Sequence, residues 1–291
     1  ISRGELVQIG GDYRIPDILE STDARLKEIG TTNRTNLQDY SKAISKETGL
    51  ILKVHRSNFF MEGFVGSPDR GELAALARKK RVPFVEDVGS GVFLPTESWA
   101  NGHHEPTPKE LLKDGVDLAC FSGDKMLGGP QAGIIAGKKR FIQALKRHPF
   151  FRALRCDKLI LTSLQDAAEA YLKNQSDELP LHQCLTVDIK RLKKRADRLI
   201  KKLESSCIKV TVSESHSQIG GGSLPQALLP SIAIDFFPKG ISLKEFAAQL
   251  RRQSTPVIGV ISNQRFRLDL KTIFPQQDKL LIESITKIIT K

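Results

Sequence analysis

The stretch that decides the fold reads Val-Pro-Phe-Val-Glu-Asp at residues 82–87 and Val-Asp-Leu-Ala-Cys-Phe at residues 116–121. Both runs are short and apolar, and the first ends in two carboxylates. Between them, Thr107 stands just before Pro108 and three residues before Glu110, which is the pattern of a helix N-terminus. A strand, a helix and a second strand at this spacing predict a βαβ unit on a parallel sheet.

The same alternation continues on both sides of this stretch. Apolar runs at residues 50–54 and 133–137 predict two more strands, residues 71–80 predict a helix, and residues 37–48 predict another that ends at Gly49. We therefore predict an α/β fold with a mostly parallel sheet flanked by helices. Ligands of such sheets bind beyond the carboxyl ends of the strands. Polar clusters stand at three of these ends, at residues 55–58, 86–90 and 122–125.

The sequence changes character near residue 187. Residues 188–204 predict a basic amphipathic helix with apolar side chains at helical spacing. Short β-rich runs and two helical segments follow, and they predict a small α+β domain. We divide the chain into a large domain over residues 1–186 and a small C-terminal domain over residues 187–291. The predicted strands of the small domain are residues 209–212, 231–237, 257–261 and 265–270, and its later helices are residues 243–252 and 277–289.

The composition is that of a globular protein, with 40% hydrophobic and 27% charged residues in 291. No apolar run approaches the ~20 residues of a membrane span, so we expect no membrane partner. The cysteines are widely separated, and none stands at metal-ligand spacing from a histidine, which predicts neither a disulfide framework nor a metal site. We expect a reducing, cytoplasmic location. The four cysteines are Cys120, Cys156, Cys184 and Cys207.

Positive charge is in clear excess. The chain has 45 Lys and Arg residues against 33 Asp and Glu, a formal net charge of +12. Such an excess attracts polyanions by steering and by counterion release. It favours contact with nucleic acid, and the alternative is a solvated surface that keeps the protein soluble.

Lys125 is the first candidate for a chemical role. It follows the predicted strand 116–121 directly, with Ser122 three residues before it and a glycine-rich segment after it. Desolvation and neighbouring cations can lower the pKa of a lysine in a pocket, which makes the free amine available as nucleophile and base. Ser122 can reach a phosphate oxygen. A Ser-x-x-Lys pair alone is a weak signal, because most such pairs are surface coincidences.

Asp87 makes this interpretation sharper. It ends a neighbouring predicted strand, and a carboxylate and a lysine at adjacent strand ends are the partners that pyridoxal phosphate needs. The acid keeps the pyridine nitrogen protonated while the lysine binds the aldehyde. Asn58, at a third strand end, can hydrogen-bond the phenolic oxygen. The alternatives are a helix N-cap for Asp87 and a turn residue for Asn58.

At these residues the sequence resembles the bacterial selenocysteine synthases, the L-seryl-tRNA(Sec) selenium transferase family of fold-type-I pyridoxal-phosphate enzymes. The likeness spans most of the chain, and its thirteen-residue lysine segment is highly specific. The segments that resemble the family are residues 28–35, 53–59, 86–91, 121–133, 151–158 and 267–272.

The resemblance implies roles for individual residues. Lys125 would bind the cofactor aldehyde, Asp87 would pair with the pyridine nitrogen, and Ser122 would bind the cofactor phosphate. Asp124, beside the lysine, would be catalytic or structural. Arg152 and Arg155 lie three residues apart, so that one helical face would present both guanidinium groups to selenophosphate. The alternative for this pair is two solvated arginines.

The implied reaction converts seryl-tRNA(Sec) into selenocysteinyl-tRNA(Sec) with selenophosphate, through an aminoacrylyl intermediate. The implied partners are tRNA(Sec) charged with serine, selenophosphate and further copies of the chain, as a dimer or a ring of dimers. Two alternatives stay open. One is a related pyridoxal-phosphate lyase acting on a small amino acid or amino-sugar acid. The other is a non-catalytic RNA-binding homologue.

The resemblance also implies a region that precedes Ile1 in family members. It would hold a small tRNA-contacting domain and further residues that cradle the cofactor. We therefore expect the chain by itself to bind the cofactor weakly and to be inactive.

Overall fold

The computed structural model describes residues 1–203, 208–220 and 223–289. The chain divides into two units. The first comprises Ile1–Leu181 with Ile219–Ala227, and the second comprises His182–Gln218 with Leu228–Lys291. The domain boundary that we placed after residue 186 stays a prediction. The second unit begins at His182, and Ile219–Ala227 belongs to the first unit.

Helices and strands alternate through the first unit, as predicted. Its helices are α1 (Ile15–Glu20), α2 (Leu37–Ala43), α3 (Arg70–Lys80), α4 (Pro108–Lys113), α5 (Lys139–Arg147), α6 (Pro149–Leu154) and α7 (Lys158–Leu172). Its strands are β1 (Ile51–Val54), β2 (Phe84–Gly89), β3 (Leu118–Ser122) and β4 (Gly133–Gly137).

The four strands form one sheet in the order β1-β2-β3-β4. The first three strands are parallel, and β4 runs antiparallel to β3. This confirms the predicted α/β fold with a mostly parallel sheet. The carboxyl ends of β1, β2 and β3 therefore meet at one edge. Among the described residues β4 pairs only with β3, so its other side is an outer edge of the sheet, and Ile135 in its middle is 45% exposed.

The core of the first unit lies between this sheet and its helices. α3 buries Leu73, Ala74 and Ala77, which pack in one cluster with Phe84 and Val88 of β2. Burial of apolar side chains on both partners holds the central strand, and hence its polar carboxyl end, in a fixed position.

Two helix ends were predicted from local sequence, with different outcomes. The capping box is present, because Thr107 Oγ1 accepts from the Glu110 amide at 3.2 Å while the Glu110 side chain accepts from the Thr107 amide at 2.7 Å. The helix predicted over residues 37–48 is shorter, and α2 ends at Ala43. Ser45 and Thr48 form their own turn, in which the Ser45 amide donates to Thr48 Oγ1, and such side chains compete with helical hydrogen bonds.

The second unit is an α+β structure with its own core. It holds α8 (Pro180–Thr186, from its third residue), α9 (Ile189–Leu203), α10 (Leu243–Arg251) and α11 (Asp278–Ile289). Its strands are β5 (Ile208–Gln218), β6 (Leu228–Pro238), β7 (Val260–Ser262) and β8 (Arg265–Asp269), and they form an antiparallel sheet in the order β5-β6-β8-β7. The predicted helix over residues 188–204 is α9, and its last predicted residue lies outside the described residues.

α9 is as amphipathic as the sequence predicts. Leu192, Ala196, Leu199 and Leu203 are buried in the second core together with side chains of β5, β6, β8, α10 and α11. The basic side chains of α9 are exposed, with the exception of Arg195. Across the described ranges, no helix is long and apolar enough to cross a membrane.

Candidate active site

Lys125 and Asp87 face one space at the carboxyl edge of the sheet. Asp87 lies in β2, and Lys125 lies in the turn that follows β3. Gly89 stands between them with a φ of +66°. A Cβ on Gly89 would lie 3.6 Å from Lys125 Nζ, 3.8 Å from Ser57 Oγ and 3.9 Å from Asp87 Oδ1. An amine, a carboxylate and a hydroxyl thus converge around Gly89, whose positive φ favours a glycine.

The charge state of Asp87 is set by opposing effects. Burial raises the pKa of its carboxyl group above the ordinary value, while the Lys125 charge, the Gly89 amide and His55 lower it. A half-buried carboxylate beside a cation is well suited to hold a positively charged group of a ligand. The same carboxylate acts with burial to raise the pKa of Cys120 to about 11, so this neighbouring thiol is protonated and inert at neutral pH.

Three strand ends meet here, but the first contributes a different residue from the one predicted. The His55 amide donates to the Asp87 carbonyl at 2.8 Å and joins the end of β1 to β2. Ser57 then reaches the space beside Gly89. Asn58 is exposed, and its Nδ2 donates to the Gln8 carbonyl at 2.9 Å. The structure therefore does not bring Asn58 together with Lys125 and Asp87.

The turn that carries Lys125 is fixed by several hydrogen bonds. The Met126 amide donates to the Ser90 carbonyl at 2.9 Å, and the Gly128 amide donates to the Lys125 carbonyl at 3.0 Å. From α7, the Tyr171 hydroxyl donates to the Leu127 carbonyl at 2.9 Å. The backbone around the lysine is thus held both by the residue that follows β2 and by α7.

The other two candidate residues of the lysine segment, Ser122 and Asp124, differ in exposure. Ser122 is the last residue of β3, half-buried and paired with Gly133 of β4. Asp124 is exposed on the turn. Ser122 therefore lies at the carboxyl end of β3, and Asp124 lies at the protein surface.

Arg152 and Arg155 are both exposed, but they do not share a helix. α6 ends at Leu154, and Arg155 has an extended backbone with φ −63° and ψ 142°. The prediction that one helical face presents both guanidinium groups is wrong. The reason is that a new helix starts directly afterwards, where the Asp157 side chain accepts from the Ile160 amide and begins α7.

Three buried polar residues around the site were not singled out from the sequence. Glu86, beside Asp87, is fully buried and pairs with Arg70 at 2.8 Å. Glu105 is also buried and lies 3.2 Å from His55 Nε2. Ser90 Oγ is buried and makes no hydrogen bond within the described part of the chain. Only Glu86 had a sequence signal, since a second carboxylate at a buried strand end requires a partner.

Comparisons with known proteins identify the family of this chain. A family model described as L-seryl-tRNA selenium transferase matches residues 1–274. The chain belongs to this family. It is 42% identical over 292 residues to the L-seryl-tRNA(Sec) selenium transferase of Clostridium perfringens, an alignment that covers 99% of the chain and 63% of that protein. The corresponding protein of Haemophilus influenzae is 43% identical over 279 residues, covering 94% of the chain and 60% of the relative.

The selenium transferase family membership that we predicted is thus confirmed. The chain spans less than two thirds of the length of these relatives. Among solved structures, a D-glucosaminate-6-phosphate ammonia-lyase is similar with a TM-score of 0.64 at 17% identity, covering 99% of this chain and 69% of the other. This likeness concerns the fold alone, and it confirms the predicted fold-type-I architecture.

The family site shows no arrangement for a metal. Within residues 1–203, 208–220 and 223–289, no group of three or more His, Cys, Asp and Glu side chains is placed to hold a metal ion. The residues that converge are instead an amine, a carboxylate and a hydroxyl. That donor set fits an organic cofactor with an aldehyde and a ring nitrogen, which Lys125 and Asp87 would hold.

Proposed function

We propose that the protein converts seryl-tRNA(Sec) into selenocysteinyl-tRNA(Sec), with pyridoxal phosphate as cofactor and selenophosphate as selenium donor. The observation that carries the proposal is the convergence of Lys125 Nζ and Asp87 Oδ1 beside Gly89, in a chain of the selenium transferase family. Pyridoxal phosphate would supply an aldehyde for the seryl amine and an electron-withdrawing ring. The residues of the chain perform the remaining tasks.

Lys125 has two of these tasks. Its amine holds the cofactor aldehyde before the substrate binds, and once released it is the base nearest to the seryl α-carbon. A general base must lie within hydrogen-bond reach of the proton that it removes, and an amine displaced from the reacting carbon meets that condition. Lys125 Nζ therefore takes the α-proton, and the β-hydroxyl leaves as hydroxide. Selenium from selenophosphate then bonds to the β-carbon while the Lys125 ammonium returns a proton to the α-carbon, and water cleaves the Se–P bond to release orthophosphate.

Asp87 and the serines hold the cofactor. The Asp87 carboxylate keeps the ring nitrogen protonated, and the Lys125 and Gly89 contributions that favour its ionised form support that role. Ser122, at the end of β3, binds the cofactor phosphate. For the phenolic oxygen, Ser57 is better placed than Asn58, which is already bonded to Gln8. Asp124 stays a candidate for proton transfer at the rim of the site.

The substrates are recognised by charge. Exposed Arg152 and Arg155 bind selenophosphate, and their guanidinium groups suit phosphate oxygens. The net charge of +12 favours tRNA. A homo-oligomer, as a dimer or a ring of dimers, and a cytoplasmic location complete the proposal.

The test is borohydride reduction of the full-length protein with pyridoxal phosphate, followed by peptide mass mapping. We expect a pyridoxyl group on Lys125, its loss in Lys125→Ala, and its retention in Lys109→Ala, which changes an exposed lysine of α4. A pyridoxyl group elsewhere, or none, would contradict the proposal. Turnover of seryl-tRNA(Sec) with selenophosphate then separates this function from a lyase, which would act on a free amino acid or amino-sugar acid.

A further inference from the structure

A second cavity lies within the second unit and is not part of the site around Lys125. Its volume is about 760 Å³, and it is bounded by α8, α9 and the segment from Leu270 to Pro275. Its walls combine apolar side chains with an unusual number of cations. Such a combination is typical of sites for organic anions.

One of the two buried cations of this cavity is Lys271. It is 7% exposed, and its backbone amide is bonded to Asp269 Oδ1 at 2.9 Å. Its ammonium group, however, makes no hydrogen bond or ion pair with any residue that the structure describes. Burial lowers the pKa of Lys271, whereas Asp269 and Cys184 raise it. Most of the Lys271 side chain is removed from water, and no hydrogen-bond acceptor in the described residues contacts its ammonium group. An anion in the cavity would supply that acceptor.

Arg195 shows by contrast what a structural cation looks like in the same wall. It is 5% exposed, and its Nε donates to Asp278 Oδ1 at 2.9 Å. Its terminal nitrogens donate to the carbonyls of Ile273 and Phe274 at 2.5 Å and 3.1 Å. All parts of this guanidinium are used inside the protein. It fixes the segment that carries Lys271 and is not available for a ligand.

The mouth of the cavity is formed by three further cations. Arg191, Lys194 and Arg198 are exposed lining residues at positions i, i+3 and i+7 of α9, so they share one helical face. Asp197 is the one acidic lining residue. Three cations at the mouth and one in the depth favour a multiply charged anion, and guanidinium groups match phosphate oxygens in particular.

We propose that this cavity binds a phosphate group, with Lys271 as its inner ligand and Arg191, Lys194 and Arg198 at its mouth. The apolar wall, which includes Leu270 and Phe274, leaves room for an organic part attached to the phosphate. Two sources share this chemistry. One is a phosphate of an RNA chain, which rests on the proposed function and would continue along exposed Lys190, Lys201 and Lys202 of α9. The other is a small phosphate ester.

Inorganic phosphate is the probe, titrated into the full-length protein by calorimetry at constant ionic strength. Loss of a charge-assisted hydrogen bond weakens binding by about 10- to 100-fold, which is the effect expected for Lys271→Met. Lys193→Met changes an exposed lysine of the same helix that does not line the cavity, and it should leave the affinity unchanged. Equal affinity in Lys271→Met and wild type, or no phosphate binding by wild type at about 10 mM, would overturn the proposal.

Circular dichroism melting checks that Lys271→Met is folded. Should it not fold, the double variant Arg191→Met with Arg198→Met changes two exposed residues and should weaken phosphate binding severalfold, and an unchanged affinity would count against the site.

A fluorescent RNA oligonucleotide identifies the source of the phosphate group. Joint loss of RNA and phosphate binding in Lys271→Met indicates RNA, whereas loss of phosphate binding alone indicates a small ester. Failed selenium transfer with intact phosphate binding would contradict only the proposed function.

Discussion

Gly89 is a residue whose missing side chain matters as much as its neighbours' functional groups. Its φ is +66°, and a Cβ would enter the space shared by Lys125 and Asp87. We expect Gly89→Ala to abolish cofactor binding while it destabilises the fold by only about 1–3 kcal/mol through backbone strain. Titration of the full-length protein with pyridoxal phosphate, followed by absorbance, measures the first effect, and urea unfolding measures the second.

Gly102 provides the matched control for this change. Its φ is +81°, and a Cβ there would meet nothing within 4 Å. Gly102→Ala carries a similar backbone strain but leaves the site open, so it should bind the cofactor as wild type does. Equal loss of binding in both variants would show that strain, and not occupancy of the space, is responsible.

The pKa of Asp87 gives cofactor binding a definite pH dependence. Burial raises this pKa above 3.8, and the carboxylate must be ionised to hold a protonated ring nitrogen. Binding should therefore be complete above the raised pKa and be lost as the pH falls through it, beginning at a higher pH than for an ordinary aspartate. The measurement is the dissociation constant of pyridoxal phosphate between about pH 4 and pH 8. Asp87→Asn should bind weakly and lack this acid limb, whereas an unchanged limb would assign it to another group.

Arg70 supports the site through the buried Glu86 next to Asp87. Its Nε lies 2.8 Å from Glu86 Oε2, and the Glu86 side chain is 1% exposed. Arg70→Met leaves a buried carboxylate without its cation, which costs about 3–5 kcal/mol of unfolding free energy. Urea unfolding measures this cost. Lys79→Met, at an exposed position of the same helix, should cost almost nothing, and an equal cost in both variants would contradict the explanation.

At the scale of elements, the strands and the α4 cap were predictable because each depends on neighbouring residues. Thr107→Ala removes the side chain that accepts from the Glu110 amide, and it should lower the unfolding free energy by about 1 kcal/mol. Thr107→Ser keeps the hydroxyl and should retain most of the stability in the same denaturant titration. A full loss in Thr107→Ser would attribute the effect to the lost methyl group instead.

Other elements could not be read from local sequence. The turn at Ser45–Thr48 ends α2 early, since side-chain hydrogen bonds won over a helical pattern that continues to Gly49. Likewise, residues three positions apart share a helical face only if one helix contains both. α6 ends at Leu154, between Arg152 and Arg155, so the prediction of a shared face failed. For the candidate site, the proximity of Lys125 and Asp87 was predictable because both residues stand at the carboxyl ends of neighbouring strands. The sequence could not predict that Ser57, and not Asn58, lies near Lys125. The path of the backbone after the strand decides which of two adjacent polar side chains faces the site.

At the scale of the whole molecule, charge dominates the expected behaviour. With a net charge of +12, RNA binding by the full-length protein should weaken as salt rises from about 50 to 200 mM, with a logarithmic slope of about −0.7 for each phosphate contacted on a single strand. The variant Arg191→Met with Arg198→Met should make this slope shallower by about 1.4, if each side chain contacts one phosphate. Fluorescence anisotropy at several salt concentrations measures it. An unchanged slope would place RNA elsewhere.

The division into two units was only partly accessible from sequence. Each unit has its own sheet and its own apolar core, and the change of pattern near residue 187 marks the second one. No sequence pattern indicates that Ile219–Ala227 belongs to the first unit, because a short segment between two long strands shows no hydrophobic periodicity of its own.

The outer side of β4 has a practical consequence for handling the protein. In the part of the chain that the structure describes, no strand pairs with this side of β4, and such an edge with an exposed Ile135 is a template on which a second molecule can add its own strand. Concentrated stocks of the 291-residue chain should slowly form cross-β precipitates that stain with thioflavin T. Ile135→Lys would set a charge in the path of the incoming strand and lengthen the shelf life of the sample.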